Sequence, residues 1–345
     1  MELELTTNMF TFFSNRYKIC LSIIIGLNLT NLGLANSLDD INNQQRETQP
    51  KIGLALGGGG TRGAAHIGVI KELEKNNIKI SYISGTSIGA IIGGLYAAGM
   101  PIDEIETIII NKSLLHAYFT TPIPVKLIGT PVALLFRLFG YHPYEGVYTG
   151  KRFAQFLNSK IPSCNKNIET FPIKFCAIAL NLTDGKTYPI DHGNLGLAIE
   201  ASSAIPVLRK PVYIEEKLFV DGGVVENLPV DRVRDMGADF VIASDVDEYT
   251  IKFHPDRFRH LGSVSERLVN LQLARVDERP LRSADFVIHP YLNGIKLVST
   301  KISDVNSAIE KGKLSTKLAI PELKRKINTS IKLVDKPNNN LSQYQ

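Results

Sequence analysis

The chain has no tryptophan, only three cysteines and only four methionines among its 345 residues. Three cysteines cannot build the dense disulfide framework that holds a small secreted scaffold together. Nor do they form a metal-ligand spacing with the histidines or with Asp and Glu, so neither a catalytic metal nor a cofactor is expected. A phosphate-cradling Gly-Lys-Ser/Thr is missing. Basic and aromatic residues do not interleave, which leaves nucleic acid without a surface of charge and stacking. There is no internal repeat. Neither sign of charge dominates: 39 Lys and Arg against 34 Asp and Glu give +5. Such a balance helps contact with anionic headgroups, and it equally suits a generic soluble surface. With 44% apolar residues the chain can bury an ordinary core, and its length fits one large domain with an appended piece.

A long hydrophobic run is also lacking, and this shapes the reading of the amino terminus. Arg16-Tyr17-Lys18 precedes an apolar stretch from Ile19 to Leu29, which is followed by Gly33-Leu34-Ala35. Basic residues, a short apolar run and small residues at a cleavage position are the layout of a secretory signal peptide, here residues 1–35. Export to the periplasm or medium is therefore expected, with an uncleaved membrane anchor as the alternative. Cys20 would leave with the peptide. Cys164 and Cys176 would remain, as one disulfide or as two free thiols. Residues 36–50 are polar and read as a linker, and residues 331–345 as a disordered tail.

What the chain does contain is glycine in informative places. Gly85-Thr86-Ser87-Ile88-Gly89 sets a serine between two glycines, after the apolar Ile80-Ser84 stretch and before a small-residue apolar run from Ala90 to Ala98. Strand, sharp turn and helix in that order make a nucleophile elbow, with the serine hydroxyl exposed at the turn. The helix that follows aims its first N–H groups at the serine and favours a developing oxyanion. The bland alternative is an ordinary glycine-rich turn.

A second cluster, Gly57-Gly58-Gly59-Gly60-Thr61-Arg62-Gly63, follows the short apolar strand Ile52–Leu56. Four glycines pack no core, but they let backbone amides approach a ligand. A dinucleotide fingerprint on Gly58, Gly60 and Gly63 wants an acidic residue at the end of the second strand. Here that strand ends in Ser84-Gly85-Thr86-Ser87. The remaining reading is an oxyanion hole beside a serine on the neighbouring strand. A carboxylate stands at a third strand end, Asp221-Gly222-Gly223 after Lys217-Leu218-Phe219-Val220, where a simple Asp-Gly turn is the alternative.

Taken in order, Gly58 to Gly63, Gly85 to Gly89 and Asp221 to Gly223 resemble the patatin-like phospholipases, in particular their bacterial and neuropathy-target-esterase-like branch. Supporting stretches are Ala64 to Val69, Ala201-Ser202-Ser203-Ala204-Ile205-Pro206 and Glu226-Asn227-Leu228-Pro229-Val230. The resemblance covers roughly residues 52–246. It implies a lipid acyl hydrolase acting on lipid or phospholipid at a membrane surface, through a Ser–Asp dyad with no catalytic histidine. Ser87 is then the nucleophile and Asp221 its base. Backbone amides of Gly58, Gly59 and Gly60 hold the oxyanion, with Gly63, Gly85, Gly89, Gly222 and Gly223 as motif glycines. Arg62 either holds the loop or meets a phosphate. The alternatives are a Ser–His–Asp esterase using His254, His260 or His289, a catalytically silent lipid-binding protein, and a nucleotide-binding oxidoreductase. His66, one turn past the glycine loop, reads as a packing or hydrogen-bonding residue.

The expected fold is α/β: a mostly parallel central sheet with helices on both faces over residues 51–248, and a helical C-terminal cover over 249–330. Strands are expected at Lys51–Leu56, Ile80–Ser84, Phe171–Leu180, Lys186–Ile190, Lys217–Val220 and Phe240–Ser244. Helices are expected at Ala64–Lys75 and Ile88–Ala98. In the cover, helices Ser263–Ala274 and Val305–Lys317 flank a short strand, Phe286–Ile288. The Pro- and Gly-broken stretch from Leu114 to Phe139 contains a short apolar helix, Val132 to Phe139. It reads as a cap over the acyl pocket that touches the membrane, or as a buried core helix.

Overall fold

The computed structural model describes residues 50–119, 144, 146–162, 166–248, 252–260 and 262–334. The signal peptide, Cys164 and the cap helix expected from sequence lie outside these residues, as do the linker up to Gln49 and the tail from Asp335, whereas residues 331–334 of the expected tail are helical. Every element below belongs to the unit Lys51–Gln345.

Strand β1 (Ile52–Leu56) is apolar throughout and buried throughout, as a strand covered on both faces must be. A 3-10 turn over Gly60–Ala64 leads into helix α1 (Ala65–Lys75), then β2 (Ile80–Thr86) and α2 (Ile88–Ala97). Next come α3 (Ile102–Ile110), α4 (Ser113–Tyr118) and α5 (Lys151–Lys160). Strands β3 (Lys174–Asn181) and β4 (Thr187–Ile190) precede α6 (Leu195–Ser202), and β5 (Val212–Ile214) and β6 (Lys217–Asp221) precede α7 (Val230–Asp235). The chain closes with β7 (Phe240–Ser244), α8 (Ser263–Ser283), β8 (Phe286–Ile288) and α9 (Ile302–Val334).

β8, β7, β1, β2 and β3 pair in parallel, whereas β4 and β6 run antiparallel to β3, and β5 antiparallel to β6. The sheet is mixed and mostly parallel. The larger apolar cluster packs α1, α2, α3 and α9 on one face, and the smaller sets Leu228, Val230 and Val233 against Ala55, Val241 and Ala243 on the other.

The register of β3 creates the site. Ala177 and Ile178 pair with both β2 and β4, so those strands hold opposite edges. Ala179 and Leu180 pair with both β4 and β6, so β6 shares the edge held by β2. Since β2 is parallel to β3 and β6 antiparallel, their C-terminal ends meet head to head: Thr86 is opposite Ile178 and Asp221 opposite Ala179.

Both C-terminal helices are longer than their periodicity implies. α8 runs through Pro280 to Ser283, and α9 through Pro321 to Val334. An interior proline removes one helical hydrogen bond and costs about 3 kcal/mol. Buried Ile320 and Leu323 anchor α9 on either side of Pro321 and offset that loss. α9 also crosses α1 nearly backbone to backbone, because a Cβ at Gly68 would lie 2.1 Å from the Ile309 carbonyl oxygen and one at Gly312 2.1 Å from that of Ala65.

Candidate active site

Ser87 sits between β2 and α2 with φ 55° and ψ −120°. That is a strained conformation for a residue with a Cβ, held only because its surroundings over-determine it. Part of the restraint is the close pass of Gly85 and Gly89, where a Cβ on Gly85 would lie 2.5 Å from the Gly89 carbonyl. The rest comes from α6, whose Ser202 Oγ accepts the Ser87 N–H at 3.0 Å. The side chain is half-buried, at the N-terminus of α2.

Asp221 ends β6 and is buried. Its carboxylate accepts the Gly223 N–H at 2.9 Å, and the Ser87 side chain lies close enough to favour its ionised form. Burial raises its pKa to about 6, and the nearby Ser87 side chain and the Gly223 N–H pull in the opposite direction. A carboxylate tuned this way is a stronger base than a solvated one.

The glycine loop lies against the serine: a Cβ on Gly58 would come 3.3 Å from the Cβ of Ser87. Its amides are not equivalent. Gly57 N–H donates to the Ser244 carbonyl at 3.2 Å, and Gly58 N–H to Asn227 Oδ1 at 3.1 Å. Among the described residues the amides of Gly59 and Gly60 have no acceptor. Gly60 is at φ 54°, and a Cβ there would meet the Leu297 carbonyl oxygen at 2.1 Å, so no other residue fits.

Arg62 points away from this opening. Its side chain is fully buried and Nη2 donates to Asn270 Oδ1 of α8 at 2.8 Å, while Nε and Nη1 have no hydrogen-bond partner. Of its two sequence-level readings, the geometry leaves the one that holds the loop, because a fully buried guanidinium cannot meet a headgroup. Its charge faces Asp245, Asp247, Glu248 and Glu266. Asp245, Asp247 and Asp277 place carboxylate oxygens within 4.8 Å of one another. Burial and mutual proximity push Asp247 and Asp277 well above the usual carboxylate range. Asn227 joins this group to the loop: Nδ2 donates to Asp277 at 2.7 Å while Oδ1 holds Gly58.

Sequence reasoning passed over these acids, although Asp245 and Asp247 follow the apolar strand β7 by the same strand-end pattern that drew attention to Asp221. Asp277 had no such signal, since only the docking of α8 brings it there. Ser202 and Asn227 lie in stretches that support the family resemblance, and nothing in their local pattern assigns them a role.

The histidines stand elsewhere. His66 Nε2 donates to the Gly57 carbonyl and Nδ1 accepts from Ser244 Oγ, both at 2.8 Å. Burial lowers its pKa to about 4, so it is neutral and braces the loop. His289 pairs with Asp245 at 3.0 Å. Among the described residues no imidazole hydrogen-bonds Ser87 or Asp221. His254 and His260 are exposed. His254→Ala and His260→Ala are each expected to keep kcat within about twofold of the parent, because distant surface substitutions perturb little. His289→Ala is expected to lower Tm while leaving the pH dependence of kcat in place. Esterase kinetics with thermal melts on the three variants check this, and a histidine variant without activity but with an unchanged Tm contradicts it.

Ser87 opens onto a cavity of ≈ 150 Å³. Its walls are apolar, with Ile91, Ile109, Leu115, Phe119, Ile205 and Leu208 prominent. Tyr118 belongs to the wall as well. Its hydroxyl donates to the Ser203 carbonyl at 2.7 Å and its ring lies 4.2 Å from the Arg209 guanidinium, which pairs with Glu200 in the interior. Cys176 is a buried free thiol, pushed up to about 12 by burial.

A serine at a strand-to-helix elbow, a buried strand-end carboxylate beside it and a glycine loop with open amides define a nucleophile-elbow site on an α/β sheet. The patatin-like phospholipase family model matches residues 54–234, just over half of the chain, and the chain belongs to that family. Among curated relatives, it is 33% identical over 196 residues to an uncharacterized NTE family protein of Mycobacterium tuberculosis, covering 57% of this chain and 49% of the relative. It is 34% identical over 196 residues to lysophospholipase NTE1 of Coccidioides immitis, covering 56% of this chain and 11% of that protein. The chain thus spans about half the length of the bacterial relative and about a tenth of the fungal one. Among solved structures, human GIVD cytosolic phospholipase A2 superposes with a TM-score of 0.46 at 11% identity, over 83% of this chain and 61% of that one.

Proposed function

We propose that this chain is a lipid acyl hydrolase of the phospholipase A or lysophospholipase type. It cleaves carboxylic esters through a Ser–Asp dyad and an acyl-enzyme. Ser87 Oγ attacks the ester carbonyl as Asp221 takes its proton. Collapse of the tetrahedral intermediate expels the alcohol, which receives that proton. Water then attacks the acyl-serine, with Asp221 as base again, releasing the fatty acid and restoring Ser87. The observation that carries this reading is the meeting of the Ser87 side chain with the buried Asp221 carboxylate, beside amides that have no other acceptor. Gly59 and Gly60 hold the oxyanion, Gly58 and Asn227 set the loop's shape, and removal of one such donor typically costs about 10²–10³ in turnover. The apolar cavity accepts the acyl chain at a membrane surface visited transiently. Export through residues 1–35 belongs to the same proposal and rests on the basic-apolar-small pattern around Arg16 to Ala35.

A fluorophosphonate probe is expected to label the parent protein and not Ser87→Ala. Mass spectrometry of products from mixed phospholipids, glycerides and lysolipids should show fatty-acid release lowered by about 10⁴-fold or more in Ser87→Ala. Equal labelling of both proteins, or undiminished release, would overturn the assignment.

A further inference from the structure

Among the described residues, those lining the cavity beside Ser87 carry two full charges, both positive: Lys112 and Lys301. They come from segments far apart in the chain, one at the turn between α3 and α4, the other in the approach to α9. Among the described residues no carboxylate lines the cavity. Neither ammonium has a hydrogen bond or ion pair among the described residues, whereas buried Arg62, Arg209 and Glu200 around the same site are all engaged. Lys112 holds a left-handed backbone conformation at φ 61°, with its side chain half-buried. Lys301 is exposed, and its neighbours Val298 and Ile302 are exposed apolar residues of the same lining. The solvent edge of the cavity is therefore apolar with cations set into it.

An acyl lipid entering this cavity puts its chain among the apolar walls and its scissile carbonyl at Ser87. Whatever the glycerol carries is then left at the edge, where the lysines are. Long lysine stems lie along apolar surface while the ammonium stays wet, and an ammonium is a good point-charge partner for phosphate. A neutral glyceride would leave both cations without a counter-charge.

We propose that Lys112 and Lys301 form a phosphate-recognition pair at the mouth of the acyl cavity, so that the preferred substrate is an acyl lipid bearing a phosphate and not a neutral glyceride. This rests on the lipid-hydrolase reading for its consequence in turnover, but the recognition itself is readable without turnover.

The experiment therefore has a binding arm and a kinetic arm on the full chain, with monomeric lipids below their critical micelle concentrations. The ligands are octanoyl lysophosphatidate and octanoyl monoglyceride, which share the acyl chain and differ in the phosphate. Calorimetry on Ser87→Ala is expected to show lysophosphatidate binding about tenfold tighter, with the preference lost when Lys112→Gln and Lys301→Gln are added. In the Ser87 protein the lysine pair of substitutions is expected to raise KM for lysophosphatidate about tenfold, with kcat and the monoglyceride within about twofold, and Lys324→Gln on the outside of α9 as control. Raising salt should weaken lysophosphatidate binding in the parent and not in the double variant.

Equal affinity for the two lipids, or equal losses for both in the double variant, overturns the proposal. So does a lysine effect confined to anionic vesicles, because the cations would then be reading the bilayer and not the substrate. Phosphate preference in calorimetry without ester hydrolysis by the parent supports the lysine pair and instead sinks the hydrolase reading.

Discussion

Asp221→Asn is expected to lower kcat by about 10³–10⁴-fold while leaving the fold intact. Asparagine keeps the shape and one oxygen of the carboxylate, and it loses the ability to take the Ser87 proton. The same side chain sets a pH dependence. Its pKa is about 6, raised by burial, and only the ionised form is a base. Activity should therefore rise with pH through about 6 and level off above it. That limb should vanish in the residual activity of Asp221→Asn. The stability effect has the opposite sign. The carboxyl titrates near 3.8 in the unfolded chain and near 6 when folded, so the folded state binds more protons in between. Ionised Asp221 thus destabilises the fold above pH 6, by about 3 kcal/mol, and the penalty is gone below pH 3.8. Asp221→Asn should match or exceed the parent Tm at neutral pH. Kinetics from pH 4.5 to 9 with melts at pH 7 read both effects. An unchanged acid limb in the variant would refute the base assignment.

Arg62→Ala is expected to destabilise the protein by about 3–5 kcal/mol, the usual result of removing one partner from a buried charged group. The guanidinium is completely buried beside Asp245 and Asp247, and it ties the glycine loop to Asn270. Its loss leaves acids without a compensating charge behind the loop. Adding Asp245→Asn removes one of those acids and should recover part of the stability, so a double-mutant cycle in urea shows coupling between the two positions. If Arg62 instead served a lipid phosphate, the variant would keep its unfolding midpoint and lose affinity for octanoyl lysophosphatidate. The two outcomes do not overlap.

Local pattern was enough for much of the chain. Apolar runs bounded by glycine located β1, β2, β6 and β7 within a residue or two, because strands buried on both faces read as continuous hydrophobic stretches. The helices flanking the site were legible for a similar reason, α1 from its periodicity and α2 from its small residues after the elbow. The edge was less legible. β5 is three residues long and exists through its pairing with β6, which three residues of sequence cannot announce. α8 and α9 run past their expected ends, Ala274 and Lys317, because tertiary packing carries each through an interior proline.

For the site, the sequence alone determined which chemical groups are available: a serine between glycines, a carboxylate at a strand end, and a backbone free of side chains in the loop. Those features are local, since they depend on turn sterics and on hydrophobic runs. Tertiary structure alone decided how they meet. β2 and β6 end head to head because they share one edge of β3 in opposite directions, and no local pattern encodes strand order. Docking of α8 separated the loop's amides into committed and open ones, through Asp277 and Asn227. It also turned Arg62 inward, because a guanidinium takes the orientation of the carboxylates that the folded chain gathers around it.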